Sequence, residues 1–225
     1  MIAGLFALVA CSAALVAAQD AKPQDFTNTS LEALGIKLVA PQKDAKTGFV
    51  AGGKNATSLI QGLTHLNNRT IADLETDLRP EAKSEVGSKK GFLGADEKLL
   101  DVLAEDNDYV LGLGLTHQDL ARHLHALGAI GIKAEGKEFL YHGKRFKMVI
   151  FLARGIQLSP FLDGTKTNTN VTLENVESGK KLPYSLLVPH LIERYGFYEG
   201  HGTPYRVDPR KVLEVLDFLE TKQAK

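Results

Sequence analysis

The sequence predicts an α+β protein, with a mainly helical N-terminal half and, in the C-terminal half, an antiparallel sheet of hairpins with two helices. Three observations predict this class. Apolar residues recur at helical spacing between residues 59 and 128, they alternate with polar residues from about residue 137, and turn-forming residues separate the alternating segments. The 225 residues suffice for one or two domains. Residues 31–135 form the mainly helical region and residues 136–225 the α+β region, and the two could form one domain.

The N-terminal segment predicts a secretory signal peptide. Residues 1–18 are nearly all small or apolar, and small residues precede Gln19, where signal peptidase would cut. Residues 19–30 have the composition of a polar tether. The single cysteine, Cys11, lies inside the signal, so the mature chain would be free of disulfides. The letters "LVAC" that end at Cys11 also resemble a bacterial lipobox, which leaves a lipoprotein anchored through Cys11 as the alternative.

Four Asn-x-Ser/Thr sequons favour the eukaryotic secretory route over the lipoprotein. None has proline in the middle position, and each predicts a glycosylation site: Asn28, Asn55, Asn68 and Asn170. The chain is therefore expected to be a secreted, N-glycosylated protein.

Charge and hydropathy restrict the classes of partner. Lys+Arg and Asp+Glu both number 27, so no net charge recommends nucleic acid. No later segment approaches about 18 uninterrupted apolar residues, so no membrane span is expected after signal removal. The expected partner is an extracellular protein or a glycan, of unknown identity.

Helical signals follow one another through the first half. Residues 30–40 form a short apolar element that could be a helix or a strand, and residues 58–66 have helical spacing. Thr70 with Asp73 forms a capping pair that opens a helix stopped by Pro80.

Two further helices are predicted after a loop. Residues 95–114 place Leu99, Leu100 and Leu103 on one buried face. The next helix opens with Thr116 and Asp119 as a capping pair and is expected to end at Gly128, since glycine is common just past a helix C-terminus.

Two hairpins and two helices are predicted in the second half. His142-Gly143 has the length of a hairpin turn, and the strand after it places four apolar residues on one face: Phe146, Met148, Ile150 and Leu152. A second hairpin turns at residues 177–180. Pro189 and Asp208-Pro209 mark the starts of the two helices.

The segment from residue 195 to residue 206 is the best candidate for a working site. Glu199 and His201, two residues apart, would project to the same side of an extended chain and could serve as an acid-base pair or, with another histidine, bind a metal. Tyrosines would add contact area and an arginine would bind anions. The candidate binding residues are Tyr195, Tyr198, Glu199, His201, Tyr205 and Arg206.

The same loop also fits a purely structural corner, which we favour. The tyrosines would fill space between sheet and helix, the glycines would let the chain turn, and Asp208 would cap the last helix. The hydrolase interpretation would gain if His142 or His190 converged with His201 in a pocket.

No complete catalytic or metal-binding signature is present. His123 and His125 would stand about 200° apart on a helix, so they cannot share one ion with His117. There is no Gly-x-Ser-x-Gly elbow and no His-Glu-x-x-His motif. We therefore expect no cofactor or metal and a noncatalytic extracellular binding protein, with a secreted hydrolase acting through residues 195–206 as the alternative.

Overall fold

The computed structural model describes residues 22–86 and 88–221, so the predicted signal peptide, Cys11 and Gln19 lie outside the described residues. The described helices are α1 (Ala56–Ile60), α2 (Ile71–Leu78), α3 (Leu99–Gly112), α4 (His117–Ala134), α5 (Val188–Tyr195) and α6 (Pro209–Val215). The strands are β1 (Gln24–Asp25), β2 (His65–Leu66), β3 (Arg69–Thr70), β4 (Phe139–Tyr141), β5 (Lys144–Leu158), β6 (Lys166–Asn175) and β7 (Lys181–Ser185). The α+β class is confirmed.

The main sheet has the order β1-β4-β5-β6-β7. The two predicted hairpins are present as β4–β5 and β6–β7, and β5 also pairs with β6 to join them. The sheet is mixed rather than purely antiparallel, because β1 runs parallel to β4. His142 and Gly143 both take positive φ, as a two-residue hairpin turn requires.

The first half is less helical than the sequence suggests. Long non-helical segments precede α1 and separate α1, α2 and α3, residues 30–40 form turns and irregular chain, and β2–β3 is a small separate hairpin. The helix expected over residues 58–66 stops at Ile60, although Ile60, Leu63 and Leu66 are all buried. The apolar spacing in this segment therefore reflects which side chains are buried, and it does not correspond to a continuous helix.

The starts of three helices match their sequence signals. The side-chain oxygens of Thr70 and Thr116 accept hydrogen bonds from the N–H groups of Asp73 and Asp119, and Thr116 completes a full capping box. Asp208 caps α6 by accepting the N–H of Arg210 at 2.8 Å.

The predicted end of α4 at Gly128 is wrong, because the helix continues to Ala134. Gly128 and Gly131 face the sheet at close range. A Cβ on Gly131 would lie 2.3 Å from the sulfur of Met148, and one on Gly128 would lie 3.0 Å from Leu186. These glycines permit close packing of helix on sheet, and the helix ends where Glu135 and Gly136 adopt positive φ.

Two clusters of buried apolar side chains hold the fold together. One lies between the sheet and the helices α4 and α6, and the other lies among α1, α2, α3 and the segment around Phe161. Helix α5 contributes Val188 and Ile192 to the first cluster and Leu191 and Tyr195 to the second. The loop that follows α5 is therefore positioned by both clusters.

None of the helices in the described part of the chain is long and apolar enough to cross a membrane.

Candidate functional site

The loop from residue 195 to residue 206 is pinned at both ends and in its middle. Gly196 takes a left-handed φ of 68° and ends α5 by donating its N–H to the carbonyl of Ile192. Gly200 donates to the carbonyl of Phe92 at 2.8 Å, and Val207 donates to that of Tyr198 at 3.0 Å. The loop is thus a fixed corner of the core.

A buried chain of hydrogen bonds anchors Tyr198. Its hydroxyl lies 2.8 Å from Nδ1 of His117, whose Nε2 lies 3.0 Å from Oδ1 of Asn107. The Asn107 amide in turn donates to the Thr57 hydroxyl at 2.7 Å. Burial lowers the pKa of His117 to about 4, so this imidazole is neutral at neutral pH and both its nitrogens are committed to structure.

Arg206 forms a buried ion pair instead of an open anion-binding fork. Its two terminal nitrogens donate to the two carboxylate oxygens of Asp106, at 3.0 and 2.6 Å, and one of them also donates to the carbonyl of Glu199. Burial raises the pKa of Asp106, and the hydrogen bonds from Arg206 oppose that rise. A substrate anion would have to displace Asp106 to reach this guanidinium.

Glu199 is a buried carboxyl with an unusual backbone. Its φ is +68°, and only 1% of its surface is exposed. The hydroxyl of Thr203 donates to Oε2 at 3.1 Å, whereas Oε1 has no hydrogen-bond partner among the described residues. Burial raises the pKa of Glu199 to about 8, so much of this carboxyl is protonated at neutral pH.

His201 does not share a face with Glu199, contrary to the sequence expectation. The ring of His201 is exposed and lies 3.1 Å from the Glu105 carboxylate. The backbone N–H of His201 donates to the Glu97 carboxylate at 2.7 Å. The extended chain assumed for the pair is absent because Glu199 turns through positive φ. An acid-base pair of these two side chains is therefore not assembled.

The three tyrosines of the loop differ in environment. Tyr195 stacks on Phe161 with ring centroids 3.9 Å apart and donates its hydroxyl to Asp163 at 2.8 Å. Tyr198 is fully buried, as described above. Tyr205 is 36% exposed, so it does not fill the core as the structural interpretation expected.

The remaining histidines do not converge on His201. His142 stacks on Phe218 with ring centroids 4.7 Å apart, whereas the Nε2 of His190 lies 2.7 Å from the Asp163 carboxylate. The same Nε2 also contacts the hydroxyl of Thr165 at 3.0 Å. A catalytic relay needs the acid on one ring nitrogen and the hydroxyl on the other, so these three side chains do not form an Asp-His-Thr triad.

Asp163 is a structural acceptor. Burial raises its pKa, but hydrogen bonds from His190, Tyr195 and the Thr165 N–H outweigh burial and hold the pKa well below its usual range. The carboxylate is thus ionised at neutral pH, and its hydrogen bonds join α5 to the segment after β5.

The helical histidines also have separate partners. His123 lies 2.9 Å from the Tyr141 hydroxyl and His125 lies 3.0 Å from the Glu193 carboxylate, while His117 belongs to the chain around Tyr198. In residues 22–86 and 88–221, no three His, Cys, Asp or Glu side chains are grouped to hold a metal ion.

Sequence reasoning missed the α3 side chains that hold the loop. Asp106 and Asn107 occupy the buried stripe of α3, together with Leu99, Leu103 and Val110. The spacing of that stripe was readable, and two polar residues within it were the available signal, because buried polar groups need partners. Their partners lie too far along the chain to be read from sequence.

An exposed apolar surface lies on β5. Four of its side chains are exposed, with Phe151 at 55% and Leu152 at 74%, and we call this set the β5 patch: Val149, Phe151, Leu152 and Ile156. Val149 and Phe151 share one face of the sheet and Leu152 lies on the other, because side chains alternate along a strand. The sequence placed Leu152 on the core face, but the strand extends past the helices that cover Phe146 and Met148. Exposed apolar side chains concentrated on one strand favour an interaction site.

The register of β5 on β6 changes within the patch. Leu152 lies opposite Thr169 and Gln157 lies opposite Thr167, so residues 153–156 bulge out of the ladder. The bulge carries Arg154 and Ile156 into solvent.

The four sequons differ in accessibility. Asn28, Asn55 and Asn68 are exposed on loops or turns. Asn170 is half-buried on β6, directly opposite Phe151.

Comparison with models of protein families, with curated proteins and with solved structures gave no match.

Proposed function

We propose that this chain is a secreted, N-glycosylated, noncatalytic binding protein that contacts its partner, an extracellular protein, through the β5 patch. The observation that carries the proposal is the concentration of exposed apolar side chains on one uncovered strand, from Val149 to Ile156. A soluble chain keeps such a surface at the risk of aggregation, so its retention favours a use.

The polar groups of the 195–206 loop support a structural role for that loop. Arg206, Tyr198 and Tyr195 are each engaged with a buried partner, and His201 stands apart from Glu199. The loop therefore holds the scaffold that presents the sheet.

The alternative, a secreted hydrolase, has one observation in its favour. Glu199 has a pKa of about 8 and an oxygen without a partner in the described residues, which are properties of catalytic acids. Against it, the carboxyl is 1% exposed, so a substrate could not reach it without opening the loop. Loss of a hydrolytic activity in Glu199→Gln, at unchanged stability, would favour this alternative.

Photo-crosslinking tests the binding proposal. A photoreactive amino acid is placed at position 151, and the protein is added to the extracellular fluid of the native host. It should give a specific crosslink. Excess wild-type protein should suppress this crosslink, whereas excess Phe151→Ser protein should not. The same reagent at position 205, another exposed aromatic residue, is the matched control. Identical products at both positions, or none at position 151, would contradict the proposal.

Secretion and glycosylation are part of the proposal. Removal of residues 1–18 and a glycan on Asn28, which is exposed, are expected. A glycan on Asn170 would lie beside Phe151 and cover part of the β5 patch. Full occupancy of Asn170 in native protein would therefore contradict the use of this surface.

A further inference from the structure

The edge of β5 that faces away from β6 is unpaired along most of the strand. β4 pairs only with residues 144–146 of β5, and the described residues place no other strand beside residues 147–158 on that side. An open edge presents backbone N–H and C=O groups that can pair with another chain.

The hydrogen bonds of β6 identify which groups are free. The carbonyl of Thr169 accepts the N–H of Leu186, and the N–H of Asn175 donates to the carbonyl of Lys180, so both backbone groups point toward the β7 side. The backbone groups of the odd-numbered residues of β6 therefore point to β7, and those of the even-numbered residues point to β5. On β5 the residues opposite those even positions are Lys147, Val149 and Phe151. The backbone groups of the alternate residues therefore point away from β6, and those of Ile150 and Leu152 reach the open edge, whereas Met148 is buried.

The charge of β5 selects the partner. The strand contains four basic residues and no acid. Lys144 and Arg145 have ion pairs with carboxylates of this chain, whereas Lys147 and Arg154 have none in the described residues. Glu174, directly across from Lys147, is paired with Lys181 instead.

A basic cleft continues this edge. The cleft, of about 940 Å³, lies between the end of α4, the β1 segment and β5, and its lining includes two acids, Glu135 and Glu138, and five cations: Lys22, Lys133, Lys137, Arg145 and Lys147. Lys147 thus belongs both to the cleft and to the beginning of the open edge.

A second copy of this chain fits the edge poorly. Two β5 strands side by side would bring together eight basic residues without an acid, so no register forms an ion pair between them. An acidic strand would instead find cations at both ends of the edge.

We propose that β5 accepts an extended acidic segment of the partner protein as an added strand, with its backbone bonded to Ile150 and Leu152 and its carboxylates near Lys147, Arg154 and the basic cleft. Main-chain bonds would supply affinity, and the charges and apolar side chains would supply specificity. This inference rests on the proposed function and adds the chemistry and binding mode of the partner.

Fluorescence anisotropy with synthetic peptides tests the mode. The probe is a fluorescein-labelled (Glu-Val)4 peptide, and its controls are (Lys-Val)4 and the (Glu-Val)4 peptides that are N-methylated on all valines or on all glutamates. The unmodified acidic peptide should bind at least about tenfold more tightly than the lysine peptide, with affinity falling as salt rises. One of the two methylated peptides should lose binding, since N-methylation removes the donors on one edge of the peptide.

Protein variants complete the test. Leu152→Pro removes an N–H from the open edge and should weaken peptide binding about fivefold at unchanged melting temperature, which corresponds to one hydrogen bond. Lys147→Glu with Arg154→Glu should weaken it at least about tenfold, whereas Lys89→Glu with Lys211→Glu, at two exposed positions outside the cleft and β5, is the charge-matched control and should change it less than about twofold.

Three outcomes would overturn the proposal: equal binding of the acidic and basic peptides, full binding by both methylated peptides, or a dimer in sedimentation that the acidic peptide does not dissociate. A crosslink at position 151 that persists while the acidic peptide fails to bind would refute the added strand and leave the proposed function standing. Absence of both the crosslink and the binding of the acidic peptide would refute the added strand and the proposed function.

Discussion

Replacement of Glu199 by glutamine should remove a large pH dependence of stability. The pKa of this carboxyl is about 8 in the folded chain, against an ordinary value of 4.5. Below pH 4.5 both folded and unfolded chains carry the proton, and between 4.5 and about 8 only the folded chain keeps it. The free energy of unfolding therefore falls as pH rises through this window, by up to about 1.4 kcal/mol per unit of pH and at most about 5 kcal/mol in total.

Urea denaturation of wild type and Glu199→Gln between pH 5 and pH 9 measures this effect. The difference between the two proteins isolates Glu199, because both retain every other titratable group. The free energy of unfolding of the variant, relative to that of wild type, should rise by several kcal/mol between pH 5 and pH 8, whatever the stability of the variant at a single pH. Glu32→Gln, which removes an exposed carboxylate that is not paired with a histidine, should run parallel to wild type. Parallel curves for wild type and Glu199→Gln would refute the buried, protonated carboxyl.

Three further predictions concern the scaffold and its processing. His117→Leu should cost about 3 kcal/mol at pH 7 because it leaves the two polar partners of the imidazole unpaired, and this cost should shrink as pH falls from 6.5 toward 4, because only wild type must keep an imidazole unprotonated at this position; denaturant titrations of both proteins at pH 7 and pH 5 check both. Asp208→Ala should cost about 1 kcal/mol through the lost cap of α6, measured by the same titration at pH 7. Protein secreted by the native host should begin at Gln19 and lose mass on glycosidase treatment, with Asn28 converted to aspartate; mass spectrometry decides both, and a lipid on Cys11 would contradict them.

The elements that sequence reasoning predicted were those that depend on neighbours along the chain. The capping pairs at Thr70 and Thr116, the turn at His142-Gly143 and the cap at Asp208 involve residues within three positions of each other. Their geometry is local, so a single sequence contains all the information.

The failures came from contacts between distant segments. Gly128 has the appearance of a helix end, whereas its close packing on Leu186, and that of Gly131 on Met148, depends on residues that are distant in the chain. The extension of β5 beyond the helices that cover it could not be predicted from the sequence either, because the alternation of apolar residues does not show which of them a helix will cover.

The candidate site was predictable in outline only. Turn formation by the glycines and the cap on α6 followed from local chemistry. Arg206 pairs with Asp106, a hundred residues away in the chain, and Glu199 is buried by the packing of the loop on similarly distant segments. The spacing of residues within the loop carries no information on either.

Helix α5 has its apolar side chains on one face, because Val188, Leu191, Ile192 and Tyr195 fall within about 100° around the helix axis. One edge of this face packs in the first cluster of the core and the other edge packs in the second. The two clusters therefore share this helix of eight residues, so its displacement would expose apolar side chains of both to water, and we expect them to unfold as one cooperative unit.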